Sequence, residues 1–465
     1  MSQPDAEIPR RNRIIYASAS FGGNLVSRTS QLWLLFYYAP PSDAGLPTIV
    51  PRVVLAIILL VVGIEDAIDD PLIGYWSDRT RTRWGRRIPF VVLATPFYLL
   101  FFVLLFTPPG ASHGIWMNAI YFTAVVFGLR FMGTLSGGPL EALLPEIARS
   151  PASRVSIVAW QVFLGSLGAA VALMATGLLK DALGFQIMAG IVALMGLVSR
   201  YIGLWGAWPY AKGASPTPQV GIVQSFRQTF SNDQFLAFLP TFVFFNMAVT
   251  MLLASLPFFA KSVILGDDQI RRLGLLGVSL DLKEGGISSI LAGTAILAVI
   301  VSLPFVYWLA RRLGKARIYS LAMLLGAITF PLLFFMGMIP GVDPLLQSLF
   351  FVALVGLAIT GVFAFPNAIM ADIIDYDALR TGVRREAFFY GTQNTVEKWA
   401  GSLEVAILAG LFLLGDTADN PLGIRLAGLV AGAAALAGFL LFRGYWLPDT
   451  VTPETAQAAR SSPPP

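Results

Sequence analysis

Residues 61–87 read Val61-Val62-Gly63-Ile64-Glu65-Asp66-Ala67-Ile68-Asp69-Asp70-Pro71-Leu72-Ile73-Gly74-Tyr75-Trp76-Ser77-Asp78-Arg79-Thr80-Arg81-Thr82-Arg83-Trp84-Gly85-Arg86-Arg87. An apolar run is interrupted by four carboxylates in six residues and then gives way to five arginines. On a helix Asp66, Asp69 and Asp70 share a face at i,i+3 and i,i+4, while Glu65 is rotated by about 100° from Asp66. One ionised acid at the bilayer centre costs on the order of 2.5–3.5 kcal/mol, and neighbouring like charges add to it. Such a cluster needs protons, a metal cation or basic partners. The acids inside apolar runs are Glu65, Asp66, Asp69, Asp70, Glu141, Glu397 and Glu404, against the bases Arg28, Arg130 and Lys398, so fixed bases do not neutralise the set. The competing reading places these acids at the membrane edge, or has them only salt-bridge to Arg28, Arg130 or Lys398. Hard oxygen ligands without Cys or His suit a proton or an alkali cation better than a transition metal.

Outward from this stretch, the chain is hydrophobic throughout. Of its 465 residues 56% are hydrophobic and only 13% charged, with a mean hydropathy of +0.71; soluble domains run near a quarter charged. An ordinary soluble enzyme is excluded. The absence of cysteine removes disulfides, thiolate metal sites and cysteine nucleophiles, and the single histidine, His113 in a Pro/Gly-rich loop, leaves no histidine metal cluster. The net charge of +5 lies in short loops between apolar runs, where it sets topology and does not bind nucleic acid.

Apolar runs long enough to cross a bilayer are predicted at 15–40, 50–75, 88–108, 114–140, 153–180, 184–208, 234–264, 286–310, 317–339, 344–371, 387–415 and 421–446. With a cytoplasmic N-terminus, 22 of the 32 Lys/Arg fall in cytoplasmic segments, seven outside and three inside helices, the bias of the positive-inside rule. Both termini are then cytoplasmic. The basic N-terminus leads into a run too long for a signal-peptide core, so no cleavable leader is expected. The expected layout is a cytoplasmic N-terminus over 1–14, a six-helix bundle over 15–208, a Pro-containing cytoplasmic linker over 209–232, a second six-helix bundle over 233–447 and a disordered cytoplasmic tail over 448–465. An internal repeat supports this division. Gly85-Arg86-Arg87 recurs loosely as Gly314-Lys315-Ala316-Arg317, and Pro139 as Pro366. Duplicated membrane units of this kind bind substrate near mid-membrane at the repeat interface. Gly428 and Gly432 form a small-xxx-small pair that reads as helix packing.

Gly74-Tyr75-Trp76-Ser77-Asp78-Arg79 followed by Gly85-Arg86-Arg87 resembles the loop signature of the major facilitator superfamily, between spans two and three. With the acids before it, the stretch Asp66 to Pro89 closely resembles the glycoside-pentoside-hexuronide:cation symporter family. Further likeness lies in Pro139-Leu140-Glu141-Ala142-Leu143-Leu144-Pro145-Glu146, in Ala371-Asp372-Ile373-Ile374-Asp375-Tyr376-Asp377 through Glu386, and in Gln393 and Lys398 of span eleven. The resemblance covers essentially the whole chain. It implies an all-α membrane protein of the major facilitator fold, with twelve helices as two six-helix bundles. It further implies that Asp66 and Asp70 ligate a coupling cation, Na+ or H+, assisted by Asp69 and Thr134, with Lys398 close to both cation and substrate. Asp78, Arg79, Arg86 and Arg87 become a cytoplasmic gate holding the halves together in the outward-open state. No cofactor beyond the coupling ion is implied, and a monomer is expected.

The departures lie on the substrate side. Asn24 and Gly137 stand where the family carries sugar-binding acids, Glu141 where it carries an aromatic residue, and Gln161 where it carries an arginine. Arg28, one turn past Asn24, and Arg130, one turn before Thr134, join Lys398 as cations that could converge on a solute, so an anionic sugar such as a hexuronide is a natural substrate. The alternative is that both arginines only pair with acids. The implied activity is cation-coupled transport of a sugar, glycoside or hexuronide in the plasma (inner) membrane; a sodium-coupled lysophospholipid carrier of the same fold and a non-transporting sensor are the rivals. An enzyme is the weakest reading, because no phosphate loop, metal-ligand spacing or Gly-x-Ser-x-Gly elbow occurs.

Overall fold

The structure is a computed structural model that describes residues 8–148, 150–211, 230–275, 278–382 and 385–449. Thirteen long helices carry the fold: α1 (Ala19–Tyr38), α2 (Arg52–Arg79), α3 (Ile88–Leu105), α4 (Ile115–Ala142), α5 (Pro151–Leu183), α6 (Phe185–Ala207), α7 (Asp233–Phe258), α8 (Glu284–Leu313), α9 (Lys315–Thr329), α10 (Pro344–Ala364), α11 (Pro366–Thr381), α12 (Glu386–Phe412) and α13 (Leu422–Phe442). Most of the expected linker, residues 212–229, and the tail from 450 onward lie outside the described residues. The helix ends have local causes. Ser150 Oγ accepts from Ser153 N and caps α5, Asp343 Oδ1 accepts from Leu345 N at 2.8 Å and caps α10, and Gly184 (φ +84°) turns the chain between α5 and α6. The run expected as span ten is two helices, because Pro366 has no N–H to continue α10 and restricts Phe365 before it.

Nine helical segments among the described residues are long and apolar enough to cross a membrane, from Ile88–Leu105 to Leu422–Phe442. Helices α1, α2 and α12, also expected as spans, are not among the nine. They carry Asn24 and Arg28, the four acids at 65–70, and Glu397, Lys398 and Glu404, so the candidate site residues themselves dilute their hydropathy. Apolar side chains also face outward along the helices: Val301 of α8 is 69% exposed and Trp116, at the start of α4, 77% exposed. Such faces suit lipid, and a tryptophan at a helix end suits the membrane interface. One departure from an all-helical chain is a hairpin between α7 and α8, β1 (Arg271–Leu275) against β2 (Val278–Leu282), with Arg272 directly opposite Asp281 and paired to it at 3.3 Å.

The helices fall into two compact units. In the first, α1 packs against α5 and α6, α4 against α2 and α3, and α3 against α6. Leu256–Ile290 and Thr417–Asp419 also belong to this unit. Its core holds Trp33, Phe36, Tyr38, Phe102, Phe106 and Phe122, and the buried polar ends are bonded: Trp33 Nε1 donates to Thr176 Oγ at 2.9 Å and Tyr38 OH to the Leu105 carbonyl at 2.8 Å. Small residues let the helices touch, since a side chain on Gly168 of α5 would strike the Phe21 backbone of α1. In the second unit α9 packs against α10 and α13 around Phe235, Phe238, Phe245 and Tyr319. Gly428 and Gly432 of α13 are packing glycines, closed over by Phe330 and Pro331.

Each unit carries one form of the same ion pair, which gives the sequence repeat a physical content. In the first unit Arg86 Nε donates to Glu146 Oε1 at 2.7 Å, and in the second Lys315 Nζ lies 2.5 Å from Asp372 Oδ2. The two bases are 229 positions apart and the two acids 226.

Candidate functional site

The acid cluster sits on α2, which runs unbroken through Pro71 to Arg79, so Asp66, Asp69 and Asp70 occupy one helical face as their spacing predicts. The side chains of Asp66, Asp70 and Asp78 lie outside the described residues. Asp69 is 3% exposed, and the carboxylate oxygens of both Asp69 and Glu65 are buried. Glu65, set apart from Asp66 by its rotation, is four residues from Asp69, so it leans toward the same buried surface. Helix α4 packs against α2 and carries Arg130, Thr134 and Gly137 within two turns. Thr134 and Arg130 are half-buried and Glu141 is exposed.

The substrate-side residues divide between the units. Asn24 donates from Nδ2 to its own Ser20 carbonyl at 3.0 Å and lies where α1 crosses α5, so that a side chain on Gly165 would meet it at 2.8 Å. Arg28 Nη1 donates to Gln31 Oε1 at 2.7 Å, and Gly137 has open space where a Cβ would point. Arg28, Glu65, Asp69, Arg130, Thr134, Glu141 and Lys398 all make contacts with neighbouring groups. Gln393, buried, and Lys398, half-buried, are on α12 of the second unit.

Of the residues assigned to a gate, Arg86 and Arg87 converge on Glu146, whose side chain is 1% exposed; Arg87 Nη1 lies 3.0 Å from Glu146 Oε1 and also donates to the Ala142 carbonyl. Arg79 is exposed at the end of α2. Glu146 had no assigned role in the sequence reading, although it closes the motif from Pro139.

The tally of three bases inside helices needs correction. Lys180, Arg200, Lys261 and Arg425 are buried within segments able to cross the membrane. Arg200 of α6 donates to Ser136 of α4 and lies over the Tyr98 ring of α3, 5.1 Å from its centroid, tying three helices of the first unit together. Lys180 of α5 pairs with Asp181 at 2.8 Å and Glu284 at 2.5 Å, and its ammonium is 5.2 Å from the centre of the Trp33 ring. Lys180, Lys261 and Arg425 sit near the ends of their runs and Arg200 well inside 184–208, and all four fall within the predicted spans.

The sequence pattern of the family described as MFS/sugar transport protein matches residues 15–421. The chain belongs to this family. It is an integral membrane transporter and not an enzyme, and the resemblance of Asp66 to Pro89 to the glycoside-pentoside-hexuronide:cation symporters is borne out. Among its relatives are the isoprimeverose transporter of Lactiplantibacillus pentosus, 25% identical over 87% of this chain and 80% of that one, and the glucuronide carrier protein homolog of Escherichia coli, 24% identical over 94% and 93%. The fold is that of solved major facilitator transporters. A POT family transporter solved with a thioalcohol-conjugated peptide superposes with a TM-score of 0.64 at 13% identity, over 93% of this chain and 95% of that one. The nucleoside transporter NupG superposes with a TM-score of 0.61 at 11% identity, over 94% of this chain and all of the other.

Proposed function

We propose that this chain is a cation-coupled symporter of the plasma (inner) membrane that carries a sugar, glycoside or hexuronide by alternating access between two six-helix halves, 15–208 and 233–447, joined by the 209–232 linker and with both termini cytoplasmic. The observation that carries the reading is α2: a continuous helix of a sugar-transport family with three acids on one face, Asp69 among them buried. Asp66, Asp69 and Asp70, with Thr134 on the helix packed against them, hold the coupling cation, Na+ or H+. Asp78, Arg79, Arg86 and Arg87 form the cytoplasmic gate, with Glu146 as the anchor for its arginines. Asn24, Gly137, Glu141, Gln393 and Lys398 line the substrate path, and Arg28 and Arg130 favour an anionic sugar, in keeping with the name of the glucuronide carrier homolog.

The test is uptake into proteoliposomes of a glycoside, uronide and lysophospholipid panel under separate sodium and proton gradients. A glycoside or uronide accumulates only with a cation gradient, and Asp66→Asn abolishes that accumulation while exchange persists. No gradient-driven uptake of any solute would refute the reading, and saturable lysophospholipid uptake without a sugar response would refute its carbohydrate part. Uronide binding that survives both Arg28→Gln and Arg130→Gln would remove the role given to the arginines.

A further inference from the structure

Among the nine segments able to cross a membrane, α8 is the least buried. Leu297, Val301, Phe305, Trp308 and Arg312 follow one another along it at spacings of four, four, three and four, which an α-helix sets along one face. All five lie in the second unit. Leu297, Val301 and Phe305 are each 60% or more exposed and Trp308 is 46% exposed, and Arg312 is exposed with Arg311 beside it. The stripe runs from aliphatic through aromatic to cationic. From Leu297 to Trp308 it covers about 16 Å of helix, close to half of a hydrocarbon core of about 30 Å.

The cationic end of the stripe is ordered by its own aromatic residues. The Phe305 and Trp308 rings stack with centroids 5.7 Å apart and planes 26° apart, and the Arg312 guanidinium carbon lies 4.2 Å from the Trp308 ring centroid. A guanidinium held by its face against a ring keeps its N–H edge outward, and that edge is a fork matched to two oxygens of a phosphate. Arg311, Arg312 and Arg317 have no carboxylate partner among the described residues. The acids that reach this turn are taken up by Lys315: its Nζ lies 2.5 Å from Asp372 Oδ2 and donates to the Asp449 carbonyl at 3.0 Å, and its backbone N–H donates to Asp449 Oδ1 at 3.0 Å. Three arginines are thus left with unmatched positive charge at the end of a lipid-facing helix.

Arginines that only set topology need neither a ring beneath them nor an apolar track in register with them. The charge also selects the occupant. A zwitterionic headgroup would bring its own cation against the arginines, a second copy of the chain would set like charge on like charge, and a soluble anion would make no use of the track. An anionic lipid satisfies both ends at once.

We propose that this face of α8 is a binding site for a phospholipid with an anionic headgroup, its phosphodiester on Arg311 and Arg312 and an acyl chain along Leu297, Val301, Phe305 and Trp308. The site rests on the symporter reading only for the leaflet it faces, the cytoplasmic one.

The test reads lipid binding and not transport. The full-length protein in dodecyl maltoside is titrated with dioleoyl phosphatidylglycerol or dioleoyl phosphatidylcholine, and the bound lipids are counted by native mass spectrometry. The first phosphatidylglycerol binds more tightly than the first phosphatidylcholine, and Arg311→Gln and Arg312→Gln each weaken it by about fivefold. Trp308→Leu removes the ring that orients Arg312 and weakens it by about two- to fivefold. Arg272→Gln deletes the same charge from the exposed β1–β2 hairpin and leaves the affinity unchanged. All four are surface changes, so each variant keeps the wild-type elution volume and melting temperature. Equal affinity for the two lipids would overturn the proposal, as would an equal loss in Arg272→Gln, which would mark an effect of net charge alone. Displacement of the lipid by millimolar inorganic phosphate would mark a site for free anions instead, and a stable lipid-free dimer would mark the stripe as a contact between copies; either result overturns it. Selective binding in a protein that shows no gradient-driven uptake would leave this site standing while the symporter reading fails.

Discussion

Replacing Glu146 removes the acceptor on which two arginines of the first unit depend. Its side chain is 1% exposed, and one oxygen, Oε1, serves Arg86 Nε at 2.7 Å and Arg87 Nη1 at 3.0 Å, with the arginine side chains themselves 18% and 11% exposed. Breaking a buried ion pair from one side costs about 3–5 kcal/mol because the surviving charge stays buried. The residual exposure of both guanidinium groups puts Glu146→Ala at the lower end, about 3 kcal/mol. Glu146→Gln keeps a neutral acceptor and loses only the charge assistance, about 1–2 kcal/mol. For a unit of this size each kcal/mol moves Tm by about 2–4 °C, so Ala lowers it by about 6–12 °C and Gln by about 2–8 °C. The assay is thermal unfolding of the purified protein in detergent followed by tryptophan fluorescence. The Trp84 and Trp208 rings, 5.9 Å apart beside this loop, provide a local reporter. In a background of Arg86→Ala with Arg87→Ala, no guanidinium is left unpaired, and the further cost of Glu146→Ala falls below about 1 kcal/mol. A Tm shift under about 2 °C for Glu146→Ala alone, or full additivity in the triple variant, would refute the reasoning.

Lys180→Met leaves Asp181 and Glu284 buried together without their cation and destabilises by about 3 kcal/mol or more, and adding Glu284→Gln restores part of the loss; the thermal cycle checks both. Gly168→Val drives a side chain into the Phe21 backbone, which cannot yield as a side-chain end could, so the yield of monodisperse protein in size-exclusion chromatography collapses. Gly138→Ala, at a helical position with nothing within 4 Å of the new methyl, changes stability by no more than about 1 kcal/mol and serves as the control.

The helices were legible because a bilayer demands long apolar runs, and a chain that is 13% charged has little else to write. What the runs concealed was local. A length criterion passes over Pro366 and reads α10 and α11 as one span, although the restricted residue before a proline marks the break. The hairpin was missed for the opposite reason. Between two spans a charged segment reads as loop, yet Val278-Ser279-Leu280-Asp281-Leu282 alternates with period two, which is the signal of a strand.

The candidate site shows where such reading stops. Asp66, Asp69 and Asp70 stand out because an acid in an apolar helix is an obvious cost, and their common face follows from spacing alone. The groups that answer such a cost are neither obvious nor near in sequence. Arg200 finds Ser136 from 64 positions away, and Glu404 finds Thr250 from 154. Serine, threonine and asparagine in a membrane helix look the same whether they pack a crossing or serve a charge. A count of acids against bases therefore treats each carboxylate as an ion seeking a cation, as it did when it set seven acids against three bases. Glu146 is held by two such cations, Arg86 and Arg87. Glu397 and Glu404 are also met by neutral groups, the Asn246 amide and the Thr250 hydroxyl. What holds an acid inside a membrane helix thus includes the neutral residues opposite it, where the sequence carries no charge to notice.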